Sequence, residues 1–299
     1  MQSPWIRCLC SIFTIAIWML FPLSASSKDA AGNTRVFIVV GPSAHPPGTH
    51  EVAAGGRLIK HCLENAPGID AIKADIVTQW PSDAAVRAEV DSVVFIGDLF
   101  PPHEMEDSAS IMTQLGEMMD RGGSIVCIHF ATGLRDPNLP ADGTHPLLNW
   151  MGGYFASRCA HHKSIARIFP KCDIIPAAAG HPVARGWKPF TLNDEPYIEN
   201  YFGTPDQAVK SGLIEFATSM LPPEAPKRQV VAWGVERSDG GRGFAVVMPH
   251  YYHNWAIDDL RTLILNGIVW SAGRDVPAGG VQVDLPDLGT FEPSPPKVK

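Results

Sequence analysis

Several polar residues stand directly after runs of apolar, β-branched residues, and their types suit proton-transfer or metal chemistry. His129 follows GGSIVCI, Asp98 follows SVVFIG, and His250 follows GFAVVMP. His45, His50 and Glu51 lie in the loop GPSAHPPGTHE that follows TRVFIVV. If each apolar run is a strand of a parallel sheet, these groups collect at its carboxyl edge, where open α/β sheets bind ligands. Imidazoles and carboxylates gathered there suit proton transfer beside a carbonyl, or a divalent metal with nitrogen and oxygen ligands. The expected catalytic set is His129, His50, Asp98, Glu195 and His250. His50, His129 and His250 are the candidate ligands should a divalent metal be the cofactor, although no HxH or HxxxH pair fixes them. The competing explanation is structural. A strand-end histidine such as His45 or His103 can simply cap a loop, Gly97-Asp98 is ordinary turn chemistry, and Glu195 can be half of an acidic loop with Asp194.

The elements that must position these residues read as follows. Thr34 to Val40, Ala71 to Val77, Ser92 to Ile96 and Gly122 to Gly133 contain strands, and helical patterns at Val52 to Leu63, Ser82 to Val90 and Glu104 to Arg121 separate them. Strands joined by helical crossovers of this length predict an α/β chain with a doubly wound, mostly parallel sheet. Residues 134 to 228 break the pattern with Pro, Gly, Asp and His, as an irregular inserted segment covering a site would. The sheet is expected to resume as a hairpin, Val230 to Val235 and Gly243 to Met248 around an Asp-Gly turn, followed by a closing helix from Leu260 to Trp270. Trp150, Trp187, Trp233 and Trp270 read as core, and His161-His162 as a solvated pair.

Composition bounds the class. With 299 residues, 45% hydrophobic and 18% charged, the chain buries a real core. Its net charge of -7 contains no basic block, which removes nucleic-acid and anionic-membrane partners. Residues 1–27 read as a signal peptide: Arg7, an apolar run from Cys8 to Leu23, then small residues from Ser24 to Ser27. Export to the periplasm or beyond is therefore expected, with no membrane association after cleavage. Four cysteines remain, Cys62, Cys127, Cys159 and Cys172; Cys159 and Cys172 are the expected disulfide, and Cys127 a buried thiol. The domain is expected over 34–275 and a proline-rich tail over 276–299. The oligomeric state, including a homo-oligomer, stays open.

Taken in order, GPSAHPPGTHE, VFIGD, GGSIVCIHFATG, WMGGYF, HPV with NDEPY, and VAWGVERSDGGRGFAVVMPH resemble the ThuA-like (trehalose-utilisation) family over most of residues 34 to 275. The resemblance implies a flavodoxin-like, class I glutamine amidotransferase-like fold and a carbohydrate substrate, of the 3-keto-glycoside type. It implies an enzyme, a sugar isomerase, hydrolase or lyase; the alternatives are a non-catalytic sugar-binding domain and a metal-dependent hydrolase of another substrate. Tyr197, Arg242 and Trp255 would then bind substrate, the tryptophan as a stacking face. Two departures stand out: Ala156-Ser157-Arg158-Cys159-Ala160 lengthens the path from GGYF to His161, and Tyr251-Tyr252-His253 adds aromatic residues after His250. Glutamine amidotransferases carry a cysteine nucleophile at the strand-to-helix elbow. Here that turn reads His129-Phe130-Ala131-Thr132-Gly133, so amidotransferase chemistry is not expected.

Overall fold

Apolar runs with no polar face can be strands only if both sides of the sheet are covered, and this is how three of the first four behave. The computed structural model describes residues 32–69, 71–205 and 212–292; the expected signal segment and the last seven residues of the tail lie outside them. β1 (Thr34–Val40), β3 (Ser92–Ile96) and β4 (Ser124–Ile128) are buried along almost their whole length. With β2 (Ile72–Val77) at one edge they form a parallel sheet in the order β2-β1-β3-β4. The helices α1 (Val52–Asn65), α2 (Ala84–Ala88), α3 (Pro101–Glu104) and α4 (Ser108–Asp120) are the crossovers. The single helix expected over Glu104 to Arg121 is thus two, separated at Asp107, whose φ of 58° is non-helical.

The inserted segment is more regular than its sequence suggests. It forms the short pair β5 (Gly133–Leu134) and β6 (Phe155–Ala156), a helical turn α5 (Leu147–Trp150), and three strands that extend the main sheet. These are β7 (Phe169–Pro176), β8 (Phe190–Asp194) and β9 (Ile214–Leu221). The predicted hairpin is β10 (Lys227–Glu236) and β11 (Arg242–Val246), and β11 runs parallel to β4. The result is one nine-stranded mixed sheet, β2-β1-β3-β4-β11-β10-β9-β7-β8, parallel as far as β11 and antiparallel beyond it.

The closing helix α6 (Asp258–Ser271) is buried from Leu260 through Ser271, not amphipathic. It lies so close to β11 that a Cβ on Gly267 would sit 2.3 Å from the Phe244 ring. Its other side is covered by the chain around Val183 and Val281: Asn266 donates to the carbonyls of Val183 and Arg185 and accepts from the Val281 amide at 2.8 Å. The expected tail therefore packs on the domain as far as Phe291, whose carbonyl accepts from Arg57 at 2.6 Å. Cys159 and Cys172 do not form the expected disulfide. All four described cysteines are free and buried, and these two serve different elements: the Cys159 thiol donates to Leu134 O beside β5, that of Cys172 to Leu192 O in β8. Trp187, Trp233 and Trp270 are core, as expected. Among the described residues no helix is long and apolar enough to cross a membrane.

Candidate functional site

Parallel strands end on one edge, and the loops leaving β1, β3, β4 and β11 carry His50, Asp98, His129 and His250 to it. His129 is the first residue after β4, with φ of 50°, and His50 has φ of 45°. Left-handed backbone at a non-glycine residue costs free energy and persists only where its surroundings impose it. The surroundings here are specific. The β1 loop is tied to the β11 loop by a bridge between Thr49 and Tyr251 and by the His50 amide donating to His250 O at 3.0 Å.

Three imidazoles meet at their nitrogens. His129 Nε2 lies 2.8 Å from His50 Nε2 and 3.3 Å from His250 Nδ1, and the last two are 2.9 Å apart. Glu195 brings Oε2 to 3.3 Å from His250 Nδ1. Partner chemistry assigns two of the tautomers. His50 Nδ1 lies 2.6 Å from the Asp98 carboxylate and must donate to it, and His129 Nδ1 lies 3.0 Å from Val247 O and must donate likewise. Both therefore turn an Nε2 lone pair towards the same point. Two lone pairs facing at such a distance repel unless a cation lies between them. In a tetrahedral zinc site with Zn–N near 2.05 Å the nitrogens stand about 3.3 Å apart. Of the three edges found here, that between His129 and His250 matches at 3.3 Å and the other two, 2.8 and 2.9 Å, are shorter, so the rings would part by about 0.5 Å around zinc. The Asp98–His50 and Val247–His129 bonds are of the kind that orients ligating histidines.

The electrostatics agree. Burial, and after it the neighbouring imidazoles, pushes His129 well below the usual histidine range, and burial brings His250 down to about 4. Burial also lowers His50, although its bond to Asp98 acts the other way. Asp98 is pushed up by burial, but hydrogen bonds from His50, the Ala44 amide and His45 outweigh this and hold it at about 2. Read together, His50 is a neutral imidazole donating to an ionised carboxylate, the form a metal ligand requires. Burial, then the charge of Asp194, raises Glu195 to about 7, which suits a residue that exchanges protons near neutrality.

The other expected residues divide. Tyr197 joins the site: its hydroxyl lies 3.2 Å from His129 Nε2 and its ring stacks on those of His129 and Phe155, at 4.6 and 4.0 Å between centroids. Arg242 does not. It begins β11, donates to Trp270 O at 2.8 Å and pairs with Glu236, at the amino edge opposite the histidines. Trp255 is 3% exposed and lines a cavity of about 20 Å³ beneath the imidazoles, room for about one water, so it offers no open face for a sugar. Glu51 holds its own loop by accepting from the Gly48 amide. His103 pairs with His145, 3.0 Å away and outside the triad, and His161 and His162 bond to Tyr154 and Glu199 O instead of forming a solvated pair.

Two residues left out of the expected catalytic set, one as a loop cap and one as half of an acidic loop, also contribute. His45 stacks on His50 at 3.6 Å and lies 2.8 Å from Asp98 through Nδ1, so one carboxylate fixes both rings. Asp194 is fully buried, raised to about 6 by that burial, and accepts from the His250 amide, the Glu195 amide and Asn254. An acidic pair next to a proline was the available signal. Cys127 is buried inside β4 with its thiol pushed well up by desolvation, and the elbow residue is His129. The site thus lacks the thiolate nucleophile of an amidotransferase.

No protein-family model matches this chain, and no curated protein is significantly similar to it. Among solved structures, a ThuA-like protein from Bacteroides uniformis ATCC 8492 superposes with a TM-score of 0.55 at 15% identity, over 81% of this chain and 92% of that one. The glutaminase domain of Trypanosoma brucei CTPS gives a TM-score of 0.46 at 11% identity, over 84% and 98%. The carbohydrate deacetylase Agd3 gives 0.47 at 11%, over 81% of this chain but 32% of that one. The strand order, the elbow after β4 and the first of these likenesses agree: the chain has the ThuA-like, class I glutamine amidotransferase-like fold.

Proposed function

We propose that this chain is an exported, metal-assisted acid/base enzyme of the ThuA-like kind, acting on a carbohydrate. The observation that carries the reading is the meeting of His50, His129 and His250 at 2.8 to 3.3 Å, with Asp98 and Val247 O turning two lone pairs inward. His50, His129 and His250 would hold a divalent cation, which when bound would supply a Lewis acid for a carbonyl or hydroxyl oxygen. Glu195, raised to about 7, then takes or returns the proton of the reacting carbon or hydroxyl. Tyr197 and His45 fix the rings from either side.

The sequence resemblance supports a keto-sugar of the 3-keto-glycoside type, whose C–H bonds beside the carbonyl are acidic enough for such a base. Room for a sugar exists on the same edge. A cleft of about 850 Å³ is lined by Gly41, Pro42, Val52, Gln79, Trp80 and Glu106, and Val52 also lines the cavity beneath the histidines. Tryptophan beside amide and carboxylate groups is a sugar-compatible surface.

The test is turnover by the full chain of 3-keto-glycosides and of their parent glycosides, before and after chelation and in Glu195→Gln. The reading predicts turnover of the keto-sugar that chelation abolishes and added metal restores. A protein that binds sugar in every metal state and turns over none is a binding module, which overturns it.

A further inference from the structure

We propose that Asp136, Cys159 and His161 form a second divalent-cation site, one that contains sulfur and clips the chain after β5 to the chain after β6. This site does not depend on the histidine triad. Its three side chains bring a carboxylate oxygen, a thiol sulfur and an imidazole nitrogen within 4.8 Å of one another.

The orientation of His161 is the second, independent observation. The Tyr154 hydroxyl donates its one proton to Gly143 O at 2.6 Å, so towards His161 Nε2, 2.9 Å away, it can only accept. His161 Nε2 therefore carries the ring proton, and Nδ1 carries a lone pair. That Nδ1 is buried and has no partner. The ring as a whole is only half-buried, yet this acceptor is closed off from solvent and unpaired, which calls for an explanation, and an ion is one. Cys159 is 3% exposed and its thiol makes only weak sulfur contacts, to Leu134 O at 3.3 Å and Ser157 O at 3.6 Å. Asp136 is exposed, and its Oδ2 accepts from the Ala160 amide at 3.2 Å, which stations the carboxylate over the Cys159 to His161 turn.

Thiolate, imidazole and carboxylate together select a borderline-soft ion of the zinc class. Zinc bonds of about 2.0 to 2.3 Å place ligand atoms about 3.3 to 3.7 Å apart, and Asp136, being exposed, is the side chain free to close on the other two. Binding releases the Cys159 thiol proton to solvent and leaves the fourth position to water. Ligation would fix both flanks of the β5–β6 pair, and Phe155 of β6 is the ring on which Tyr197 stacks. Cys159, expected from sequence to be half of a disulfide, is on this reading a metal ligand.

The two candidate sites differ in sulfur, which makes them separable in one experiment. The full chain, stripped with chelator, is titrated with Co²⁺ under reducing conditions and followed by near-ultraviolet absorption and bound-metal stoichiometry. We expect a thiolate-to-cobalt charge-transfer absorption that Zn²⁺ bleaches, and its loss, with one bound equivalent, in Cys159→Ser. Asp136→Asn, at an exposed position whose amide oxygen still accepts from Ala160, should weaken that absorption's cobalt affinity by more than about tenfold with an unchanged circular dichroism spectrum. No sulfur absorption at saturating cobalt overturns the proposal, as does absorption that persists in Cys159→Ser. Failure of the histidine site would appear separately, as loss of the sulfur-free equivalent.

Discussion

Replacing Asp98 by asparagine tests whether the site is built as described, because it changes charge and acceptor count while keeping shape. The carboxylate takes three donors: His50 Nδ1 at 2.6 Å on one oxygen, and His45 Nδ1 and the Ala44 amide, each at 2.8 Å, on the other. An amide has one acceptor oxygen, so at least one donor would face an N–H instead. Two effects follow, both calculable. Asp98 is held at about 2 in the fold, against about 3.9 when unfolded; this depression contributes about 2 kcal/mol at neutral pH. Because the folded pKa is the lower one, the contribution is complete above about pH 5 and disappears as pH falls through about 2. Urea unfolding of the metal-free proteins should therefore show Asp98→Asn less stable by about 2 kcal/mol at pH 7, with the gap narrowing between about pH 5 and 3. Second, loss of the partner that orients His50 should weaken zinc binding by about 10- to 100-fold in chelator competition. Wild-type affinity together with wild-type stability in Asp98→Asn would refute the orienting role.

Glu195→Gln should keep zinc bound to the histidines but lower turnover by about 10²- to 10⁴-fold, and should remove a titration near pH 7 from the rate profile; an unchanged profile assigns the proton transfer elsewhere. The metal-free protein should lose stability as pH falls from about 6.5 towards 4, because the buried imidazoles, His250 at about 4 among them, bind protons more readily when unfolded. Urea midpoints at several pH values measure this, and His250→Gln should flatten the slope. Gly267→Ala should destabilise the fold by about 1 to 3 kcal/mol, since its Cβ would meet the Phe244 ring at 2.3 Å; an unshifted melting temperature would mean that α6 does not approach β11 so closely.

The parallel half of the sheet was legible because strands buried on both faces carry no polar alternation: TRVFIVV, SVVFI and SIVCI announce themselves. Their carboxyl ends then pointed to His50, Asp98, His129 and, through β11, His250. β7 and β8 were obscured because each has a wet face, as in FTLND, which alternates buried and exposed, and because prolines interrupt β7. Arg242 was misplaced for a reason visible in the sequence itself. It opens its strand, so chain direction sends it to the amino edge, whereas His250 follows the same strand. Trp255 looked like a surface aromatic because nothing local reveals that its turn is packed beneath the histidines. The tautomers, and so the inward lone pairs, depend on Val247 O and Asp98, contacts 118 and 48 residues distant that no local pattern encodes.

The most direct measurement is X-ray absorption at the zinc edge of the Cys159→Ala variant loaded with one equivalent of Zn²⁺, so that only the sulfur-free site is populated. A shell of imidazole nitrogens at about 2.0 to 2.1 Å, with three histidine rings fitted by multiple scattering and lost when His129 is replaced by alanine, is the predicted result. A spectrum of hydrated zinc, or one identical with and without His129, would contradict the account.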